Sequence, residues 1–545
     1  MKVLEVMAEI LKREGIEFFS CFPSTPVIDA LAAAEIRPIV CRQERVGMGI
    51  ADGYSRVSNG RRIGVFVMQF GPGAENAFAG IATAYSDSVP VLLLPTGNAR
   101  DRVGMKPYFS SVRSYDAVTK WVEQINLAGQ VPEVMRRAFS LLKMGKPGPV
   151  MLEIPRDIVN EEVGQFNYQP VKATRAAGNP QDVDEAARVL LEAHRPVIHA
   201  GQGVLYAEAW DELLELAELL QAPVMTTNLG KSAFPENHPL SLGTGARAVT
   251  GPVRHFLARA DVVLGIGCSF SRHHHSTKIP SEKVIIHATN DAEDINKNYA
   301  VDYPIVGDAK LVLRQFIEAA RERLGSQSRQ SNSTVAAEEI KKVKEEWLKE
   351  WMPKLTSDEV PLNPYRVIWE LMHTIDPKEA IVTHDAGSPR DQLLPFYQAT
   401  SPRSYLGWGK SHQLGTGLGL TIGAKLAQPD KVCINFMGDA AFGMVGLDFE
   451  TAVRNQIPII TIVLNNSTMA GEASDEPLAQ ELYQSLDLGG NYADMGRAMG
   501  GYAERVENPV EIAAAIQRAR QANEEESRPA LLEFITSGEI SVSLM

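Results

Sequence analysis

Short apolar runs separated by helical stretches constrain this chain more than any other feature. "IEFFSCF", "RPIVC", "RIGVFVMQ" and "VPVLLLP" come early, "RPVIHAG", "APVMTT", "DVVLGIG" and "KVIIHA" in the middle, and "EAIVTHDAG", "KVCINFMGD" and "IPIITIVLNN" late. Such alternation predicts parallel strands with helices on both faces of each sheet. At 545 residues the chain is too long for one core. The predicted class is therefore α/β, with three domains, each a mostly parallel sheet covered by helices. Two polar stretches read as linkers, one at Val171 to Asp182 and one, "RLGSQSRQSNSTV", at Arg323 to Val335. The expected division is 1–170, 183–325 and 355–545, with a linker and charged helix at 326–354.

A net charge of -13 argues against general affinity for nucleic acid or anionic membrane. Cys21, Cys41, Cys268 and Cys433 show no ligand spacing and read as buried thiols in a reducing compartment. The N-terminal segment is unlike a signal peptide, and no apolar run has the length of a membrane span. The expected location is cytoplasmic.

The chemistry concentrates in "CINFMGDAAFGMVGLDFETAVRNQIPIITIVLNN". Gly438-Asp439 and Asn465-Asn466 both end predicted strands, and ligands of open parallel sheets gather at the carboxyl ends of strands. Taken alone, Gly-Asp reads as a turn with a helix cap. Paired with Asn-Asn, it offers a carboxylate and an amide oxygen, hard ligands for a Mg2+ that also binds a diphosphate. Ala440 and Ala441 open the following helix, whose free N–H groups could face phosphate.

The pattern resembles the thiamine diphosphate signature, Gly-Asp-Gly followed at a distance by Asn-Asn. The 27 residues from Asp439 to Asn466 are the interval of acetolactate synthase-like enzymes. The signature's second glycine is Ala440 here. The resemblance implies a pyrimidine-binding (PYR) domain, a central domain and a diphosphate-binding (PP) domain, with Asp439, Asn466 and the Thr468 carbonyl as Mg2+ ligands. It also implies that Pro23, Gly71, Gly73, Asn76, Gly387, Ser388, Gly438 and Met469 contact thiamine diphosphate. Leu414 aligns with the apolar residue beneath the thiazolium, and the backbone near His412 with the carbonyl that contacts the 4'-amino group; Leu414 as plain core is the alternative.

This cofactor's chemistry needs a protein carboxyl group hydrogen-bonded to the aminopyrimidine, in surroundings apolar enough to raise its pKa. Glu44 in "RPIVCRQERVGMGIADGYSR" resembles the family's activating glutamate, and "FGPGAENAFAGIATAYSDSVPVLLL" its Gly-Pro-Gly loop. A lone Glu at a helix start would otherwise be a solvated cap. The central domain, through Gly201, Gly203, Gly265 and Gly267, is similar to one that carries FAD in some members, ADP in others and nothing in many. "RHHH" at Arg272 to His275 reads as a solvated loop, because adjacent histidines cannot all face one ion. An obligate dimer or a tetramer is implied, since in the family PYR and PP domains of different subunits share a cofactor.

The reaction depends on side chains above the thiazolium. Phe70 and Phe109-Ser110 replace the polar residues of acetolactate synthases and would make the pocket less polar, unless they are core. Glu472, six residues after Asn466, stands where 2-oxoacid decarboxylases carry a glutamate proton donor; an exposed helix-start glutamate is the alternative. His384, His412 and Gln413 are secondary candidates. The expected activity is decarboxylation of a 2-oxo acid followed by carboligation to an aldehyde or second 2-oxo acid. Release of an aldehyde is the alternative. Acyl-CoA chemistry is disfavoured by the stop at Met545, and a non-catalytic regulatory homologue by Glu44.

Overall fold

The computed structural model describes residues 1–325 and 333–545. Part of the predicted second linker, 326–332, lies outside the described residues; the charged helix Ser333–Leu355 follows. The stretch predicted as the first linker has no strand, and the helix Pro180–Glu192 begins inside it.

Three sheets of six parallel strands form the framework. The first contains β1 (Phe18–Cys21), β2 (Arg37–Val40), β3 (Gly64–Met68), β4 (Val91–Gly97), β5 (Trp121–Gln124) and β6 (Val150–Pro155), in the order β2-β1-β3-β4-β6-β5. The second contains β7 (Pro196–Ala200), β8 (Val224–Thr227), β9 (Ser241–Gly245), β10 (Val262–Ile266), β11 (Val284–Thr289) and β12 (Tyr303–Val306), ordered β12-β11-β10-β7-β8-β9. The third contains β13 (Ala380–His384), β14 (Tyr405–Leu406), β15 (Val432–Gly438), β16 (Ile459–Asn465), β17 (Tyr502–Val506) and β18 (Ala530–Ile535), ordered β14-β13-β15-β16-β18-β17. Central strands β3, β4, β13 and β16 are buried along their whole length, as uninterrupted apolar runs require.

The first and third sheets share one strand order, and in both the chain reverses direction across the sheet after its second strand. That places the crevice between β1 and β3 in one, and between β13 and β15 in the other. The two domains meet through the helices Glu44–Val57 and Thr416–Ala427. Glycine makes the approach possible: a Cβ on Gly53 would lie 2.2 Å from the Leu420 carbonyl oxygen, and one on Gly423 2.1 Å from that of Ile50. Each mid-helix glycine costs about 0.5–1 kcal/mol relative to alanine. Close packing offsets this, since Val46, Ile50 and Tyr54 join Leu418, Ile422 and Met437 in one buried cluster.

Candidate active site

In the third domain, parallel pairing of β15 with β16 sets Gly438 opposite Leu464 and brings the two strand ends together. Asp439 is buried and accepts from Ala440 N (2.8 Å) through Oδ1 and from Ser467 N (2.8 Å) through Oδ2. Burial holds its carboxyl above the ordinary range, against the pull of these N–H donors. The two asparagines divide the work. Asn465 faces inward, where its Nδ2 donates to the buried Glu533 (2.7 Å) and its Oδ1 accepts from Ser467 N (3.0 Å). Asn466 is half-buried and turns its Oδ1 over Thr468 N (3.1 Å). The Asp439 carboxylate, the Asn466 amide oxygen and the Thr468 carbonyl are the hard oxygen donors that suit Mg2+ when a diphosphate supplies the rest. Among the described residues no cluster of three or more His, Cys, Asp or Glu side chains gathers as a competing metal site.

Across the crevice, Gly387 (φ 82°) caps the helix Ser388–Phe396 in a backbone region that favours glycine. Asp385, at the end of β13, accepts from Gly415 N (2.8 Å) and Gly417 N (2.9 Å), fixing the start of the helix Thr416–Ala427. Burial pushes its carboxyl up to about 6, with the backbone N–H groups opposing. Sequence reasoning missed Asp385; its signal was an acid at a strand end two residues before Gly387.

The first domain repeats this construction. Gly71 (φ 66°) caps the helix Pro72–Ser86 after β3, as Gly387 does after β13. Pro23 stands exposed after β1. Glu44 follows β2 and is 5% exposed, so it is no solvated cap. Its Oε2 accepts from Asn76 Nδ2 (3.3 Å), and a Cβ on Gly73 would lie 3.4 Å from its Oε1. The buried Glu44 and Gly73 thus meet the exposed Asn76 at one spot.

Between them runs the loop to Leu414, which is half-buried against Ala386, Trp408 and Leu420. The Leu414 carbonyl accepts from Arg45 Nη2. His412 is exposed, with its backbone at φ 41°. Gln413 spans the domains, its Nε2 donating to Ala79 O (2.9 Å) and its Oε1 accepting from Arg45 Nη1 (3.3 Å). These bonds engage both ends of its amide. The expectation for His384 is corrected: it is fully buried and stacked on Trp408 (5.2 Å), and burial next to Arg390 drives its pKa far below that of a free imidazole. Phe109 packs against the apolar cluster containing Met48 and Tyr115, so it serves the core. Phe70 is half-buried at the end of β3, its N–H donated to Thr96 Oγ1 (3.1 Å). Glu472 is exposed in the single chain, on the turn Ala470–Glu472. Met469, just before it, is half-buried.

The histidine run is not a solvated loop. Arg272 and His274 are exposed, but His275 is buried, accepts from Arg390 Nη2 (2.8 Å) and lies 4.8 Å from the His412 ring. Burial and the neighbouring guanidinium lower its pKa to about 3, so it is the neutral acceptor that Arg390 needs. The run lies on a turn closed by Ser276 N to His273 O (3.0 Å), which leaves His274 outside and His275 inside.

Residues 1–125, 183–316 and 385–534 match, in turn, "Thiamine pyrophosphate enzyme, N-terminal TPP binding domain", "Thiamine pyrophosphate enzyme, central domain" and "Thiamine pyrophosphate enzyme, C-terminal TPP binding domain". The chain belongs to the thiamine pyrophosphate enzyme family. It is 32% identical to "Probable acetolactate synthase large subunit" of Methanococcus aeolicus, over 100% of this chain and 94% of that protein. It is 33% identical to the protein of that name from Methanocaldococcus jannaschii, over 98% and 92%. Identity to "Acetolactate synthase isozyme 3 large subunit" of Escherichia coli is 26%, over 94% and 91%.

This thiamine pyrophosphate enzyme also encloses a cavity of about 660 Å3 where the three domains meet. Its wall holds buried polar atoms without a protein partner, among them both His199 ring nitrogens, Gln202 Oε1, Tyr206 OH, Asn228 Oδ1 and Thr277 Oγ1. The central glycines have a packing role. Gly203 N donates to Gly267 O (2.8 Å), and a Cβ on Gly201 would lie 2.3 Å from that same oxygen. A Cβ on Gly265 would meet the Phe270 ring at 2.3 Å. Among the described residues no helix is long and apolar enough to cross a membrane.

Proposed function

We propose that this enzyme decarboxylates a 2-oxo acid with thiamine diphosphate and Mg2+, and joins the product to a second carbonyl compound, either an aldehyde or another 2-oxo acid. The observation that carries the reading is the corner where Ser467 N bonds Asp439 Oδ2, which sets a carboxylate beside the Asn466–Thr468 turn. In this reading Asp439, Asn466 and the Thr468 carbonyl hold Mg2+. The turns at Gly387-Ser388 and Gly438 to Ala441 hold the diphosphate, and Leu414 and the His412 backbone seat the rings. Bound thiamine diphosphate supplies a nucleophilic carbon for the keto group and an electron sink for departing CO2. Glu44, buried and hydrogen-bonded by Asn76, holds a proton at the aminopyrimidine.

Carboligation is preferred because similarity over nearly the full chain is to proteins named acetolactate synthase. Release of an aldehyde would need a proton donor at Glu472, which is exposed in the single chain. Two copies of the chain complete the reading; the exposed Met444 and Leu447 beside the Asp439 helix are apolar surface that a second copy would cover. The orphaned polar wall of the interdomain cavity supports a nucleotide-sized occupant such as FAD or ADP.

The test is incubation of the purified protein with a panel of 2-oxo acids, with and without aldehydes, cofactor and Mg2+, following CO2 and products by mass spectrometry. Acetohydroxyacid or hydroxyketone products, dependent on the cofactor, are expected. Aldehyde alone would replace ligation with decarboxylation, and no CO2 from any substrate would overturn the assignment.

A further inference from the structure

Residues 407 to 410 are held by side chains from all three domains. Arg56 Nη1 donates to Gly407 O (3.1 Å), Asn228 Nδ2 to Trp408 O (2.7 Å), and the Trp408 indole N–H to His384 O (2.7 Å). Asp87 takes the next two amides, Gly409 N on Oδ2 (3.0 Å) and Lys410 N on Oδ1 (3.1 Å). Its Oδ2 also accepts from Arg56 Nη2 (3.3 Å), and its backbone carbonyl accepts from Gln202 Nε2 (2.7 Å). Asp87 and Arg56 are both fully buried.

An ion pair for Arg56 does not by itself require Asp87. Asp52 already grips that guanidinium with two bonds, of 2.7 and 3.1 Å. What Asp87 adds is a two-oxygen grip on consecutive peptide N–H groups, which fixes the orientation of both peptides. Two residues on, His412 sits at φ 41°, and such a conformation persists only where its surroundings over-determine it. Asp385 pins the other end of the loop through Gly415 N and Gly417 N. The loop between these two buried carboxylates borders the carboxyl edge of the third sheet, inside the segment matched as TPP binding.

We propose that Asp87 is a positioning residue: through the amides of Gly409 and Lys410, it sets the backbone of His412 and Leu414 against the cofactor. The proposal rests on the function given above, and the residue acts from the first domain on a loop of the third.

Asp87→Asn is compared with Asp52→Asn, which takes the same charge from Arg56 but touches no loop atom. Both variants should lower the thermal midpoint. Asp87→Asn alone should speed hydrogen exchange at the Gly409 and Lys410 amides by about tenfold or more. It should also lower kcat by about 10- to 100-fold while KM for the 2-oxo acid stays near wild type. Gly409→Ala, at φ 119°, displaces the same peptide while leaving both acids in place, and should repeat the kcat loss. Equal effects of Asp87→Asn and Asp52→Asn on exchange and kcat would reduce Asp87 to a stabilising role and overturn the proposal. If Asp87→Asn does not fold, Gly409→Ala decides: unchanged exchange at 410–412 and unchanged kcat overturn it. Exchange needs no turnover, so a wild-type protein that releases no CO2 refutes the proposed reaction and still reports on Asp87.

Discussion

The first and third domains have the same strand order yet carry opposite chemistry at matching positions. A positive-φ glycine caps a helix on each side of the crevice but at different strands, Gly71 after β3 in the first domain and Gly387 after β13 in the third, while Gly438 after β15 has φ -88°. After β2 the first domain places Glu44 at the start of a helix, where the third, after β14, places Leu414-Gly415. The third domain alone adds Asp439 and the Asn466 turn. One architecture thus presents an acid from one side and oxygen ligands from the other, and the two helices that follow Glu44 and Leu414 pack against each other. The lesson is that strand-end positions are set by topology, while their chemistry is set by single residues.

The largest predicted effect separates the two halves. Glu44→Gln should cut cofactor-dependent CO2 release by about 100- to 10,000-fold while leaving cofactor affinity near wild type. Asp439→Asn should instead weaken Mg2+-dependent cofactor binding by at least about tenfold, measured by titration without substrate. A variant of Glu44 that loses binding as well would break the division of labour.

The helix crossing should respond symmetrically. Gly53→Ala and Gly423→Ala each drive a methyl group onto a backbone oxygen of the facing helix and should each cost about 1–3 kcal/mol of stability. Thermal midpoints within error of wild type would mean that the helices separate at little cost. Similar in size but purely conformational, Gly71→Ala and Gly387→Ala meet open space but adopt positive φ, which costs about 1–3 kcal/mol. A pair that differs widely in denaturant midpoint would show that the two turns are not equivalent.

The smallest effect is a difference in acid response, since residues 1–170 contain no histidine. Burial lowers His199 and His273 to about 4 and His275 to about 3. The unfolded chain binds more protons there, so the stability these groups permit is present above their unfolded pKa. It is lost as pH falls from about 6.5 toward those lower values. Asp385, raised to about 6, works in the opposite sense: its contribution is present below its unfolded pKa and fades as pH rises through 6. All three histidines lie in the central domain, while the third holds Asp448, raised to about 6 like Asp385, so hydrogen exchange at pH 5 should loosen the central domain before the first. His199→Gln should shrink that difference.

Much of this was legible in residue order. Uninterrupted apolar runs marked the buried strands, and Asp439 and Asn466 stood at strand ends that parallel pairing made neighbours. Other features were not legible, because their meaning lies in contacts distant along the chain. His384 looked like a proton donor until Trp408 and Arg390 enclosed it. The histidine run looked solvated until Arg390 met His275.

Apolar periodicity determined the α/β class and the parallel sheets, because burial pattern is a local property of sequence, and the cofactor family came from the resemblance of the strand-end motifs to the thiamine diphosphate signature. Which histidines stay neutral and how Asp87 reaches the loop at Gly409 were decided only by the tertiary structure. Desolvation and hydrogen bonding depend on what surrounds a group, and those surroundings are brought from hundreds of residues away.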